Sequence, residues 1–244
     1  MGGMDDLLEM PTDWQRALAI VPHPDDMEYG ASAAVATWTD AGKDVSYVLL
    51  TRGEAGIDDM EPEEAAAVRA DEQWAACDAV GVRNLEILTH RDGMLEYGLT
   101  LRRDVAAAIR RHRPELVVTC NHREMYPGGG WNMADHRAAG LAVIDGTRDA
   151  GNRWVFTDLA DDGLEPWSGV RWVALSGSPN ATHAVDVTTS FDRGVASLRA
   201  HARYLESLGD HPMAEPEPFL RMVAGATGER FGGRPAASFE LIAT

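Results

Sequence analysis

Three ionisable side chains lie within four residues, HPDD at 23–26, directly after a short apolar run in the stretch AIVPHPDDMEYG, residues 19–30. Imidazole nitrogens and carboxylate oxygens are good zinc ligands, and a catalytic zinc ion usually has about three protein ligands and one open position. His23 and Asp26 are three residues apart and can converge on one such ion. Asp25 then lies beside the ion, where a general base for the attacking water is needed.

A third candidate ligand favours a zinc site at HPDD over a simpler interpretation, in which these residues only cap a helix and fill a turn. A His-x-x-Asp match is common by chance, and Asp25 or Asp26 could instead cap the following helix while His23 fills a turn. His136 favours the metal site, because it follows another apolar run and its loop at the start of a predicted helix. If the two runs are neighbouring strands of a parallel sheet, their carboxyl ends meet there. His136 would then complete a site of two histidines and one carboxylate.

Apolar runs alternate with helix-like segments through the first 150 residues of the chain. Strands are predicted at 16–21, 45–50, 85–88, 116–119, 171–175, 183–187 and 239–242;. Helices are predicted at 27–39, 62–80, 101–113, 134–147 and 192–208;. This alternation predicts an α/β fold of three layers, with helices on both faces of a mainly parallel sheet and the site at the carboxyl ends of the strands.

The chain contains no repeat and no long biased linker, which predicts a single domain over residues 1–244. The Glu-Pro-Glu-Pro stretch at 215–218 predicts an extended loop within that domain;. The helix predicted at 192–208 contains His201, and we expect this residue to pack in the core rather than to take part in catalysis.

The acidic composition argues against nucleic-acid binding and against docking on an anionic membrane. The chain has 244 residues, a formal charge of −17 and a pI near 4.7, whereas nucleic-acid binding normally shows a basic footprint;. No apolar stretch approaches the ~18 residues of a membrane span, and the N-terminus lacks the features of a signal peptide. The expectation is a cytoplasmic protein that acts on a small molecule, with a homo-oligomer left open.

Four motifs together resemble the PIG-L/LmbE-type zinc de-N-acetylases. They are HPDD, TRGEAG at 51–56, RADEQWAACDAVGV at 69–82 and ADHRAAG at 134–140, in that order. The resemblance covers residues 17–145. It implies a Rossmann-like α/β fold and hydrolysis of an N-acyl group, typically acetate, from an N-acetylated amino sugar. It also implies one zinc ion per chain, with His23, Asp26 and His136 as ligands and Asp25 as the general base.

The resemblance also implies roles for two further residues, although the sequence around them matches the family less closely. Arg69 matches a family arginine that faces the polar substrate, and Asp92 in HRDGML matches a substrate-contacting acidic residue. For Arg69 two alternatives stay open, an exposed helix residue or an ion pair with Glu72 at i,i+3 spacing.

The chain departs from the family pattern at one position. The family has His-x-Asp-His, and its first histidine is credited with stabilising or protonating the tetrahedral intermediate, whereas this chain has Met133 there. A thioether carries no such proton. Asp135 therefore lacks its usual histidine partner and is expected to orient His136 or to cap the helix. Replacement donors by sequence position are His122, Arg123 and Tyr126. Loss of one donor costs on the order of 100- to 1000-fold in rate, which leaves a slower enzyme rather than an inert one.

Three alternatives to a simple amino-sugar deacetylase remain. Two of them keep the same hydrolytic chemistry: an amidase that acts on a thiol–sugar conjugate, or a tailoring deacetylase that acts on a natural-product glycoside. The size of the cleft formed by loops 121–131 and 151–181 would distinguish these substrates. The third, suggested by Met133, is a metal-binding protein that has lost catalysis. The tryptophans near these loops are expected to fill the core, or in pairs to form an apolar wall for a sugar face. They are Trp131, Trp154, Trp167 and Trp172.

Overall fold

The computed structural model describes residues 6–244, which form eight strands and eight α-helices. The strands are β1 (Leu8–Glu9), β2 (Arg16–Val21), β3 (Asp44–Thr51), β4 (Asn84–His90), β5 (Leu116–Cys120), β6 (Trp172–Ser176), β7 (His183–Asp186) and β8 (Ala236–Ala243). The helices are α1 (Ser32–Asp40), α2 (Pro62–Val80), α3 (Leu99–His112), α4 (Ala134–Ala150), α5 (Asp158–Asp161), α6 (Phe191–Arg199), α7 (Ala202–Ser207) and α8 (Pro216–Gly228). A short 3₁₀ helix lies at Pro212–Ala214.

All eight strands belong to one sheet, in the order β1-β7-β8-β6-β5-β2-β3-β4. The sheet is parallel except at β8, which runs antiparallel to both β6 and β7. This confirms the prediction of a mainly parallel sheet. Because β2 pairs directly with β5, the loops that leave their carboxyl ends lie side by side;. One loop carries HPDD, and the other leads to His136.

The alternating side chains of β2 build the two apolar layers that hold helices on both faces of the sheet. Ala19 and its neighbours in register pack with α1, α2 and α8 in one buried cluster. Ile20 packs on the opposite face with α3 and α4. A strand that is buried on both faces needs apolar residues at every position, as the sequence RALAIV provides after its first residue;. The predicted three-layer arrangement is confirmed.

Several predicted elements match closely, and the long helix predicted at 62–80 is confirmed. Gly81 ends this helix in the left-handed region, with a φ of 79°;. The helix predicted at 27–39 begins later, at Ser32, because the chain first passes through turns at 24–31. The extended loop predicted at 215–218 is wrong. α8 begins at Pro216, since a proline fits the first turn of a helix, where its missing N–H costs nothing;.

The helix predicted at 192–208 is two helices, α6 and α7, that meet at His201. No glycine or proline marks this break. The side chain of His201 is fully buried at this break. Within residues 6–244, no helix combines the length and the apolar character that crossing a membrane would require.

Candidate functional site

The three predicted metal ligands converge where β2 and β5 end. One ligand atom from each of His23, Asp26 and His136 lies within 4.8 Å of the others. His136 Nε2 is 2.8 Å from Asp26 Oδ1, and His23 Nδ1 is 3.4 Å from Asp26 Oδ2. Two imidazoles and one carboxylate form a donor set that suits a catalytic zinc ion and leaves a coordination position open. The geometry therefore fits a metal ion, and the role of these residues as ligands stays a prediction.

The second nitrogen of each histidine has a partner of its own, which fixes how the rings would bind a metal. His23 Nε2 is 3.2 Å from Asp135 Oδ2 and 3.1 Å from Asp92 Oδ1. His136 Nδ1 is 2.7 Å from the hydroxyl of Tyr126. Metal-ligating histidines typically donate their other N–H in this way. His23 would thus bind through Nδ1 and His136 through Nε2.

Asp135 supports His23, whereas the expectation was that it orients His136 or caps α4. Its carboxylate also accepts hydrogen bonds from two backbone N–H groups at 93–95, at 2.8 and 3.1 Å. Asp92 likewise accepts from the backbone N–H of Ala55. His23, Asp92 and Asp135 form a second group that could hold a cation. Because these carboxylates are already engaged by N–H donors, we interpret the second group as a support for the His23 ring. Contact of Asp92 with substrate stays a prediction.

Asp25 lies between the two ligands of the HPDD turn and is tightly held. It is 6% exposed, and its φ of 86° is in the left-handed region that few residues other than glycine adopt;. Its backbone N–H donates to Gln73 Oε1 at 3.1 Å, and its Oδ2 accepts from Arg69 Nη2 at 2.8 Å. Burial raises the pKa of Asp25 to about 6, and the guanidinium of Arg69 opposes part of this effect;. A carboxylate tuned toward neutral pH suits a general base.

Arg69 is 3% exposed, and its guanidinium points at the HPDD turn. Beyond Asp25, it donates to the carbonyl oxygens of Pro24 at 2.6 Å and Gly53 at 3.2 Å. The alternatives of an exposed residue or a pair with Glu72 are wrong, because Glu72 instead accepts from a backbone N–H in α7. Nothing in these contacts tests whether Arg69 meets a substrate.

Two supporting residues have no counterpart among the sequence predictions. Gln73 follows Arg69 by four residues in α2, so both side chains lie on the helix face that meets the HPDD turn;. That i,i+4 spacing is a signal from which Gln73 could have been found. Tyr204 places its ring 4.4 Å from the Arg69 guanidinium, and no sequence signal links α7 to α2. His201 also lies behind the turn, with Nε2 3.7 Å from Glu28 Oε2.

The loop between β5 and α4 forms the other side of the site. Met133 stands at the first position before α4 and is 51% exposed. Of the three replacement donors considered, Tyr126 lies against His136, and Arg123 pairs with Glu240. His122 Nδ1 has no hydrogen-bond partner among the described residues, and burial, aided by Arg123, lowers its pKa.

Two of the tryptophans expected to fill the core do not do so. Trp131 is 70% exposed and Trp154 is 81% exposed. Trp131 belongs to the β5–α4 loop, where it bridges to Met125, and Trp154 follows the far end of α4. Trp167 and Trp172 are half-buried. Trp131 and Trp154 lie at opposite ends of α4, so these two side chains do not together form an apolar wall for a sugar.

Comparisons with known proteins find similar sequences over the part of the chain that carries this site. The family model described as PIG-L, GlcNAc-PI de-N-acetylase, matches residues 18–146, a stretch that includes the three candidate ligands and Asp25. Diacetylchitobiose deacetylase of Thermococcus kodakarensis is 31% identical over 237 residues, covering 94% of this chain and 84% of that protein. A 1D-myo-inositol 2-acetamido-2-deoxy-alpha-D-glucopyranoside deacetylase of Kineococcus radiotolerans is 29% identical, covering 77% of this chain and 68% of that protein.

The fold is similar to that of a solved enzyme structure. N,N'-diacetylchitobiose deacetylase from Pyrococcus horikoshii has a TM-score of 0.85 and 27% identity, covering 94% of this chain and 84% of that one. The similarity extends over the mixed sheet and its flanking helices rather than over the motif region alone.

Proposed function

Since the chain belongs to the PIG-L family of GlcNAc-PI de-N-acetylases, we propose that it hydrolyses the N-acetyl group of an amino sugar or amino-sugar conjugate. The products are the free amine and acetate. The observation that carries the proposal is the convergence of His23, Asp26 and His136 beside the buried carboxylate of Asp25. The two relatives and the solved structure described above are named as deacetylases, which supports a hydrolase that acts on amide bonds.

The cofactor we propose is zinc, one ion per chain, held by His23 Nδ1, Asp26 and His136 Nε2. When bound, the ion supplies Lewis-acid polarisation of the amide carbonyl and lowers the pKa of the attacking water. Support comes from the donor set, which is typical of catalytic zinc, and from the partners that fix both histidine rings;.

Asp25 is the proposed general base. Arg69 Nη2 donates to its Oδ2, and the carboxylate accepts a proton as water attacks the carbonyl carbon;. The new C–O bond forms, the amide C–N bond breaks, and the nitrogen needs a proton to leave as an amine. Protonated Asp25 can return the proton it received, so a single carboxylate serves both steps.

The proposed substrate is a small N-acetylated saccharide or conjugate. The relatives are named for diacetylchitobiose, for an inositol-linked 2-acetamido sugar and for N-acetyl-alpha-D-glucosaminyl L-malate, all of which carry an N-acetylated glucosamine unit. The charge of −17 disfavours polyanionic substrates;. A cytoplasmic site of action and the absence of nucleic-acid partners stay predictions from the sequence.

Acetate release tests the proposal. Purified protein loaded with zinc should release acetate from at least one of N-acetylglucosamine, diacetylchitobiose and a 2-acetamido-glucosyl conjugate, measured with a coupled acetate assay. A thiol–sugar conjugate and a bulky glycopeptide glycoside belong in the same panel, because turnover confined to either would favour the corresponding alternative. Bound zinc with no turnover across the whole panel would contradict the proposal and favour a metal-binding protein without catalysis.

A further inference from the structure

A closed ring of hydrogen bonds holds the backbone of Asp25. Its N–H donates to Gln73 Oε1 at 3.1 Å, and Gln73 Nε2 in turn donates to Glu28 Oε1 at 3.1 Å. The backbone N–H of Glu28 donates to the carbonyl oxygen of Asp25 at 2.9 Å, which closes the ring. The N–H and C=O groups that the ring holds lie on either side of the Asp25 Cα atom. The ring therefore restrains φ and ψ of Asp25 and, through them, the direction of its carboxylate.

Both side chains of this ring are fully buried. Gln73 and Glu28 have no exposed surface. A buried amide or carboxyl group costs free energy unless it is hydrogen-bonded, so two apolar side chains would fill the same space at a lower cost. What a buried polar network adds is a single, specified arrangement of the groups that it joins. Here the group whose arrangement is specified is the HPDD turn.

Residues from the C-terminal half of the chain support the ring on the side of Glu28. Ser197 Oγ lies 3.4 Å from Glu28 Oε1 and donates to Ala76 O at 2.9 Å, so it joins the ring to α2 a second time. The other carboxylate oxygen of Glu28, Oε2, lies 3.7 Å from His201 Nε2. Ser197 and His201 are also fully buried. The side chain of Glu28 is thus enclosed by polar groups from α6 and from the junction of α6 with α7.

The conformation of Asp25 requires a restraint of this kind. Its φ of 86° is strained for a residue with a Cβ atom, and such strain persists only where the surroundings over-determine it;. Asp25 lies between the candidate ligands His23 and Asp26. Rotation of either peptide group beside its Cα atom would move the carboxylate relative to both ligands.

We propose that Gln73 and Glu28 are positioning residues for Asp25, and that the ring they close holds the carboxylate in the direction that proton transfer needs. This inference rests on the proposed deacetylase function. Displacement of a catalytic group by about 1 Å can cost on the order of 100-fold in rate, so opening the ring should be visible in turnover.

Side-chain exchanges at the two positions either open the ring or keep it. Gln73→Met and Glu28→Met keep a side chain of similar length but lack the amide or carboxylate that the ring needs. Glu28→Gln is the conservative exchange, because its amide oxygen can still accept from Gln73 Nε2. Glu64→Met is the matched control, since Glu64 lies in α2 with an exposed side chain. Zinc content and thermal unfolding are measured for every protein.

Opening the ring should lower kcat rather than weaken substrate binding. A residue that acts through the base lowers kcat and kcat/KM together, whereas a residue that binds the substrate raises KM. At saturating zinc, we expect kcat to fall on the order of 100-fold in Gln73→Met and in Glu28→Met, with KM within about twofold of wild type. Glu28→Gln should keep kcat within about fivefold, because it keeps the hydrogen bond, and Glu64→Met should match wild type.

A double variant tests whether the two side chains act as one unit. The ring is open once either side chain is replaced, so the second exchange should remove little more. The variant Gln73→Met/Glu28→Met should therefore lower kcat by about the same 100-fold as each single variant, whereas independent effects would multiply to about 10,000-fold.

Four results would overturn the inference. They are wild-type kcat in Gln73→Met, a rise of KM by about tenfold or more with kcat retained, effects that multiply in the double variant, and a kcat of Glu28→Gln as low as that of Gln73→Met. If Glu28→Met or the double variant does not fold, Gln73→Met and Glu28→Gln decide the question. Failure of Gln73→Met to fold would make Gln73 a determinant of the fold rather than of the base, and would also overturn the inference.

Failure of the inference and failure of the proposed function give different results. Absence of acetate release by the wild-type protein would contradict the proposed function itself and remove the premise of the inference. An active wild type with an equally active Gln73→Met variant contradicts the positioning role alone.

Discussion

The two sides of the candidate site are built very differently. The base side, defined here as the HPDD turn with Arg69 and Gln73, is buried. Hydrogen bonds join the turn to α2, and Arg69 of α2 also donates to Gly53 O in the loop after β3. The loop side, defined as residues 121–133, is a glycine-rich segment that exposes Trp131 and Met133. The base side has almost no freedom to change its geometry, whereas the loop side presents large apolar side chains to solvent.

This difference suggests that the base side serves the chemical step and the loop side serves recognition of the substrate. A proton transfer needs a base held to within a fraction of an ångström, and the base side provides the contacts for that. Recognition of a sugar needs exposed surface, and loops on a rigid scaffold commonly supply it. Substitutions on the base side should therefore change kcat, and substitutions on the loop side should change KM or metal affinity.

The largest expected effect comes from removing the base. Asp25→Asn keeps the size of the side chain and its contact with Arg69 but cannot accept a proton. We expect kcat to fall about 100- to 10,000-fold, the usual contribution of a general base, with zinc content unchanged. Steady-state acetate release and metal analysis check this. Full activity in this variant would make the base assignment wrong, and loss of zinc would place Asp25 among the ligands.

The next effect tests Tyr126, a residue of the loop side whose hydroxyl contacts a candidate ligand. Tyr126→Phe removes the hydroxyl that lies 2.7 Å from His136 Nδ1. Loss of such a partner of a ligating histidine typically costs about 10- to 100-fold in metal affinity. Competition with a chelator measures the zinc dissociation constant, which should rise by that amount while kcat at saturating zinc changes less. An unchanged dissociation constant would leave Tyr126 without a role in metal binding.

A smaller effect is expected at the exposed aromatic ring of the loop side. Trp131→Ala removes an apolar face suited to the C–H face of a sugar, and we expect KM to rise about threefold to tenfold with kcat retained. Trp154→Ala is the matched control, since Trp154 is equally exposed but lies beyond the far end of α4, about 25 Å away along that helix;. Equal changes in both variants would argue against a substrate contact at Trp131.

The smallest effect concerns the anchor of the loop side. Burial alone would raise the pKa of Glu240, but hydrogen bonds from Arg123 and Ser178 lower it below its usual value. Because the pKa is lower in the folded protein than in the unfolded chain, the stabilisation is complete above the unfolded pKa of about 4.3 and is lost as the pH falls through the folded value.

Glu240→Gln should thus lower the free energy of unfolding at pH 7 by about 1 kcal/mol, a value reduced by partial exposure to solvent. Denaturant unfolding at a series of pH values measures the difference between wild type and variant. The difference should shrink as the pH falls below about 4. A difference that is constant with pH would show that the charge of Glu240 is not what anchors the loop.

The ligand cluster could be predicted from the sequence, whereas the contacts of Arg69 and Gln73 with Asp25 could not. β2 and β5 are short apolar runs, and the pairing of parallel strands brings HPDD and His136 to one edge. The direction of Arg69 depends on a turn around Gly53 and on the left-handed backbone of Asp25, which are set by tertiary contacts. The bend at His201 likewise has no glycine or proline to mark it, and it lies at a fully buried side chain.

Zinc titration of metal-free protein tests the central claim, which is that His23, Asp26 and His136 hold a catalytic zinc ion for amide hydrolysis. Acetate release from diacetylchitobiose or another active N-acetylated sugar would be followed together with bound zinc. We predict that turnover is absent without metal, rises in proportion to bound zinc and reaches its maximum at about one ion per chain. We also predict that His136→Ala abolishes zinc binding and turnover. Full turnover by the metal-free protein, or zinc binding and turnover that survive His136→Ala, would contradict the account.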